Sequence, residues 1–366
     1  VAAARAVPDG AVVRLLDRLL SGDRPGHPVV AVLAVLALVG LALAPFLVPG
    51  ATAQAVAARI CIFILLAASY DILLGYTGIV SFAHTMFFGF GAYGAAIALS
   101  HQAGWGALLA GAACGVGLAV VVAGLVALLS LRVQAIFFSM VTLAIASFAQ
   151  LLATQLRGLT GGEDGLTFAA PPGLAPSFRL LARPLLGVRI DGRVLTYYLI
   201  FVITLLLFLA MLRVVNSPFG RVLQAMRENA FRAEALGYRT LGYRCIAIML
   251  SAAVAAVAGV LMAVLLRYVG PQTTLSFDVM TDILLMVVIG GMGTLYGAVF
   301  GAVLVVVAQY ELQPGMQALS DALAGFPLLA ALVQPDRWLL WLGLLFIAMV
   351  YFFPAGLVGS LRQRTR

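Results

Sequence analysis

Residues 278–308 read DVMTDILLMVVIGGMGTLYGAVFGAVLVVVA. Their only charges are Asp278 and Asp282, both at one end. A bilayer core is crossed by roughly 20 helical residues, so this run is too long for one untilted span. The glycines of GGMGTLYG (290–297) sit at its middle, where residues without a Cβ let a helix break. The stretch therefore reads as a short span over 278–290, a break, and a further span over 294–311. A chain built around such a segment is a membrane protein with interrupted helices.

The rest of the chain follows suit. Of 366 residues, 63% are apolar and 10% charged, and the mean hydropathy is +1.11. Soluble domains run nearer 45–50% apolar and about 25% charged, and a soluble core of this size could not hide the surplus. An ordinary soluble enzyme and a disordered chain are both excluded. The expected fold is an all-α polytopic membrane protein of about ten transmembrane helices, some short or broken. The other spans are expected over 29–48, 54–74, 83–100, 105–129, 135–156, 194–212, 245–266 and 338–353.

Around the membrane domain (29–353) lie a polar N-terminus (1–28) and a basic tail (354–366). Within the N-terminus, AVVRLLDRLL suits a short amphipathic helix on the membrane surface. Polar stretches at 157–193 and 213–244 interrupt the domain, and a loop with an amphipathic piece near 315–333 is expected after 311. The first span ends in PGATAQA, an Ala-x-Ala pattern. The length of that span and of its polar leader argues for a retained helix over a cleaved signal.

All 22 basic residues are arginine, and the net charge is +8. Without lysine there is no Walker A lysine and no Schiff base, so any ATP that drives this chain is bound by another. The arginines are spread between apolar runs and form no basic stripe, which excludes nucleic-acid binding as a function. With both termini cytoplasmic, inner segments hold fourteen arginines and outer segments eight, as the positive-inside rule requires. One uninterrupted span over 278–308 would put the basic tail outside. The three cysteines and three histidines are scattered and lack metal-ligand spacing. With no HExxH motif or serine elbow either, no enzyme is expected.

Small residues recur every fourth position at Ser251, Ala255, Gly259 and Ala263, at Gly293, Gly297 and Gly301, and at Gly111 and Gly115. Such stripes let helices pack closely in lipid. GFGAYG (89–94) matches the GxGxxG fingerprint but follows no strand, so helix packing and not nucleotide binding is its reading. GYTGIVSF (75–82) and GGMGTLYG interrupt the two halves at similar places, a pointer to transporters built from repeats. Asp71, Asp282, His84, Thr142 and Ser147 are polar positions in or beside spans, where such groups tend to face a pathway. Asp71, close to an inner span end, is expected to be solvated, and His84 to be a packing residue.

Residues 213–244 read RVVNSPFGRVLQAMRENAFRAEALGYRTLGYR. Asn216-Ser217-Pro218 starts a helix. Phe219, Leu223, Met226, Ala230 and Ala233 then form an apolar stripe, with Arg227, Glu228, Arg232 and Glu234 opposite, and Gly237 permits a stop. A short amphipathic helix of this kind fits a groove on a soluble partner or packs on its own bundle.

That segment resembles the cytoplasmic loop of the permeases of branched-chain amino-acid ABC importers, specifically the larger of their two permease subunits. GYTGIVSFAHTMFFGFGAYGAA (75–96), IFFSMVTLAIASFAQLLATQLRGLTGGEDGL (136–166), DILLMVVIGGMGTLYGAVFGAVLV (282–305) and FFPAGLVG (352–359) are similar to further segments of that family. The resemblance spans roughly 55–310 and 338–359, and leaves the N-terminus and 312–336 unassigned.

The resemblance implies a type II ABC-importer-like permease in a bacterial inner membrane, with no cofactor on this chain. Its partners would be a second, homologous permease, two ATPase subunits holding ATP and Mg, and a periplasmic or lipid-anchored substrate-binding protein. Arg227, Glu228, Ala233, Glu234, Ala235, Leu236 and Gly237 would couple to the ATPases. Ser81 and His84 fall in the family's Gly-rich segment and join the pathway candidates. Thr160, Gly161, Gly162, Asp164 and Gly165 would form an outer-face turn that meets the binding protein or gates the pore, or is a plain surface turn. The implied cargo is a branched-chain or other hydrophobic amino acid, with urea, short amides or aromatic acids as alternatives. A self-contained secondary transporter, with an internal site of carboxylates or unwound carbonyls, is the rival mechanism.

Overall fold

A computed structural model describes residues 28–47, 50–129, 135–179, 190–322, 334–353 and 356–363. The amphipathic segment expected at 11–20 lies outside the described residues. The first apolar run forms α1 (Pro28–Leu47). It is followed by α2 (Ala51–Asp71), which continues as a π-helical turn over Ile72–Thr77. Next come α3 (His84–His101), α4 (Trp105–Leu129) and α5 (Ala135–Gln155). A turn of helix, α6 (Arg157–Thr160), precedes strand β1 (Leu166–Thr167).

The second half contains α7 (Gly192–Asn216), α8 (Pro218–Ala235) and α9 (Thr240–Leu266). Strand β2 (Tyr268–Val269), α10 (Pro271–Thr274), α11 (Phe277–Gly290) and α12 (Leu295–Ala322) follow. The chain closes with α13 (Trp338–Phe352) and α14 (Gly356–Gln363).

Among the described residues, eight helical segments are long and apolar enough to cross a membrane. The other two of the ten expected spans are also helical, as α3 with 18 residues and α13 with 15. The break expected inside 278–308 is real: α11 ends at Gly290 and α12 starts at Leu295.

Three boundaries differ from expectation. First, α12 runs through Pro314 to Ala322, where a loop was expected from 312. Residues 311–321 are mostly exposed, and strong helix formers such as Gln, Leu, Met and Ala hold the helix there. Second, the tail does not simply trail away: α14 packs on α11 and α12, and Val358 is buried. Third, the helix of α2 runs past the expected end at 74, as the π-helical turn.

α2, α3 and α9 make the centre of the bundle, and their small residues set the spacing. A Cβ on Gly91 of α3 would overlap the Ala256 carbonyl of α9, and one on Gly94 would come within 2.6 Å of the Gly111 carbonyl of α4. The helices therefore meet backbone to backbone, the packing mode lipid favours. By contrast, α5 buries only a narrow face through Phe138, Thr142, Ala146 and Ala153. Ile136, Met140, Phe148 and Leu151 of α5 point outward. The bundle has two ends. One carries α8 and the breaks at 72–83 and 291–294. The other carries the 157–179 segment, where β1 pairs antiparallel with β2 in the register Leu166↔Val269.

Candidate functional site

The two glycine-rich breaks meet at the α8 end. The π-helical turn closes on Gly78 at φ 72, a left-handed conformation that glycine adopts without strain. π-turns inside helices recur at functional sites. Gly75 lies against the other break so closely that a Cβ on it would overlap Gly293 N and Asp71 Oδ1. Asp71, 1% exposed, accepts a hydrogen bond of 2.8 Å from the Gly293 N–H. The solvated Asp71 expected from sequence is thus corrected. α2 extends beyond it as the π-turn, which places the carboxylate inside the bundle, where a backbone donor pairs with Oδ1 and Oδ2 is buried without a partner among the described residues.

Arg227 of α8 closes this junction. Its Nη1 donates to the Gly75 carbonyl, and its side chain also lies over Gly78 and Gly293. One guanidinium on α8 therefore touches both helix breaks. α8 is not a single straight helix: Asn229 has φ −158 and ψ 97 inside it. The Asn229 side-chain oxygen accepts from the Arg232 N–H at 2.9 Å. Asn229 thus breaks the first segment and caps the second, a role its short side chain favours.

The first segment of α8 buries Val222, Leu223 and Met226, and Ala233 anchors the second. Gly237 has φ 90. Its N–H donates to Glu234 at 2.8 Å, and the Tyr238 N–H donates to Ala233 at 3.2 Å, the paired bonds of a Schellman stop. Glu234 accepts from the Thr240 hydroxyl, tying the second segment to the start of α9. Glu228, Ala235 and Leu236 are exposed. Leu236 is 73% exposed, and Phe231, which sequence reading passed over, is 82% exposed. Phe231 falls off the apolar stripe, so periodicity alone gave no reason to select it.

A second cluster lies deeper, where the chain unwinds between the π-turn and α3. Thr142 of α5 accepts from the Phe82 N–H at 3.0 Å and donates to the Ser139 carbonyl. Ser81 accepts from the Ala83 N–H. His84 is fully buried at the start of α3, 2.9 Å from Ser69 Oγ and stacked at an angle on Tyr70. The Ser69 hydroxyl donates to the Leu66 carbonyl, so it accepts from His84 Nε2–H. That leaves His84 Nδ1 an acceptor with no partner among the described residues. Ser81, His84 and Thr142 are therefore brought together, and Ser69 and Tyr70 join them. Ser147 is not: it sits on the exposed side of α5. Asp282 belongs to a separate site, accepting from Gln309 of α12 at 2.7 Å.

At the opposite end, Thr160 is buried and donates to the Ala153 carbonyl at 2.6 Å. Gly161, Gly162 and Gly165 all have positive φ, at 75, 67 and 70. They turn the chain so that Gly165 rests on the backbone of Val269 and Gly270. Asp164 is left exposed at the turn's tip. Among the described residues, no group of three or more His, Cys, Asp or Glu could hold a metal ion.

The comparisons with known proteins agree with one another. The family described as "Branched-chain amino acid transport system / permease component" matches residues 52–332. LivM, the high-affinity branched-chain amino acid transport permease protein of Escherichia coli, is 29% identical over 290 residues, covering 76% of this chain and 67% of that protein. A probable LivM of Methanocaldococcus jannaschii is 28% identical, covering 65% of this chain and 64% of that protein. The autoinducer 2 import permease LsrC of Photorhabdus laumondii is 30% identical over 33% of this chain and 38% of that protein. No solved structure matches the chain significantly. The chain is a multi-pass membrane protein and belongs to the family of branched-chain amino acid transport permease components.

Proposed function

We propose that this chain is one of two membrane subunits of a bacterial inner-membrane ABC importer for branched-chain, hydrophobic amino acids, driven through α8 by separate ATPase subunits that hold ATP and Mg. The observation that carries this reading is the pair of bare apolar side chains, Phe231 and Leu236, on a helix that also reaches both helix breaks through Arg227. Clustered exposed apolar surface on an otherwise charged element is the mark of an interaction site.

In this reading α8 is a lever. The ATPase grips the segment after Asn229, and the segment before it carries Arg227. A displacement of α8 changes the Arg227 contacts with Gly75 and Gly293. Only contacts that differ between two states can shift their balance, and these backbone contacts join elements from both halves of the chain. The arginine-rich α8 end and both termini face the cytoplasm. At the other end, the braced turn from Thr160 to Gly165 receives a periplasmic or lipid-anchored binding protein. The second, homologous permease covers the thinly packed α5, and the cargo passes beside the unwound stretch that carries Ser81, His84 and Thr142.

Co-expression with the ATPase subunits tests this. Phe231→Asp and Glu228→Arg alter exposed side chains, so each variant is expected to reach the membrane at the normal level. Each is also expected to lose most of the ATPase on purification and most leucine uptake. Variants that retain the ATPase and import normally would falsify the assignment of α8.

A further inference from the structure

At the end opposite α8, the tops of α2, α7 and α9 enclose a pocket of about 230 Å³. Its lining divides by chemistry. Ala55, Ala58 and Leu265 form an apolar wall, while Gln54, Arg193 and Arg267 supply polar groups. Among the described residues, the lining includes two arginines and no acid.

Arg267 is under stress in two ways. It is the only non-glycine among the described residues with positive φ, at 55. A long side chain rarely adopts that conformation, and backbone strain of this kind concentrates at binding sites. Its Nε is also buried with no hydrogen-bond partner, and one Nη reaches the Leu174 carbonyl only at 3.5 Å. Burial first, and then the neighbouring Arg193, work against the charge on Arg267. A guanidinium cannot relieve this by losing its proton, but a bound anion relieves it directly.

We propose that this pocket binds the carboxylate of a small solute with a short apolar body. The Arg267 and Arg193 guanidinium groups donate to the carboxylate, the charge-assisted geometry at which arginine excels. The apolar wall of α2 and α9 takes the solute's hydrocarbon. The pocket is smaller than the roughly 300–1,000 Å³ of sites for drug-sized ligands, which selects small molecules. This holds whether or not the bound solute is the one transported.

Equilibrium binding of radiolabelled isovalerate to the full chain in nanodiscs, with the subunits that accompany it, tests the site. Saturable binding is expected, displaced by unlabelled isovalerate and by leucine but not by isoamylamine, which keeps the hydrocarbon and lacks the carboxylate. Arg193→Gln and Arg267→Asn are each expected to weaken it about tenfold or more. Asparagine tolerates the left-handed backbone, and Arg193 is exposed, so at least one variant keeps the fold, as a thermal melt will verify. The proposal is overturned by absence of saturable binding, by equal displacement with isoamylamine, or by unchanged affinity in the folded variants. Displacement by inorganic phosphate as strong as by leucine also overturns it, and points to a lipid headgroup or free phosphate.

Discussion

Asp71 and Gly293 stand 222 positions apart in the chain and are joined by one hydrogen bond of 2.8 Å. That bond fastens the break in the first half to the break in the second. With Arg227 reaching the Gly75 carbonyl beside it, three segments distant in sequence share one small junction.

Removing the Asp71 carboxylate tests the strength of that fastening. Asp71→Ala leaves a buried N–H at Gly293 unsatisfied, which costs about 1–3 kcal/mol. Asp71→Asn keeps an acceptor and is expected to cost less. Thermal unfolding of the purified variants should rank them wild type, Asn, Ala, in falling order of stability.

Crowding the junction should act differently. Gly75→Ala places a methyl group where Gly293 N and Asp71 Oδ1 already lie, and overpacking of this kind costs about 1–3 kcal/mol. In the lever proposed for α8 this junction rearranges during transport, so uptake is expected to fall further than the folded yield does. Parallel uptake and membrane-yield assays will show the difference.

Phe231→Ala changes a side chain that is 82% exposed. Surface substitutions generally stay within about 0.5 kcal/mol, so the melting temperature should hold. Association with the ATPase should weaken about tenfold, since aromatic anchors dominate interfaces. Normal association measured by surface plasmon resonance would remove Phe231 from the docking surface.

The helix-packing glycines give a prediction with an internal control. Gly91→Val drives a branched side chain into the Ala256 carbonyl, whereas Gly117 on α4 has nothing within 4 Å of its would-be Cβ. The first variant is expected to fail in folding and the second, as Gly117→Ala, to be neutral or stabilised by up to about 1 kcal/mol. Fluorescence-detected size-exclusion chromatography separates these outcomes.

Much of this protein was legible in one dimension because its solvent imposes a one-dimensional rule. In hydrocarbon every backbone polar group must be satisfied within its own helix, so long apolar runs became helices almost where they were read. The break after Gly290, the four-residue stripes on α4, α9 and α12, and the stop at Gly237 all follow from local chemistry. What sequence could not reveal depended on which segments meet. Asp71 looked solvated because its partner is a backbone N–H contributed by the other half of the chain. Arg227 looked like a partner-facing charge, yet it reaches inward to Gly75. Phe231, off the stripe, is marked out only by its exposure just past the break at Asn229. Arg193 and Arg267, separated in sequence by most of three helices, became one pocket only through packing. Periodicity reports the face a residue presents, and tertiary structure alone determines what that face meets.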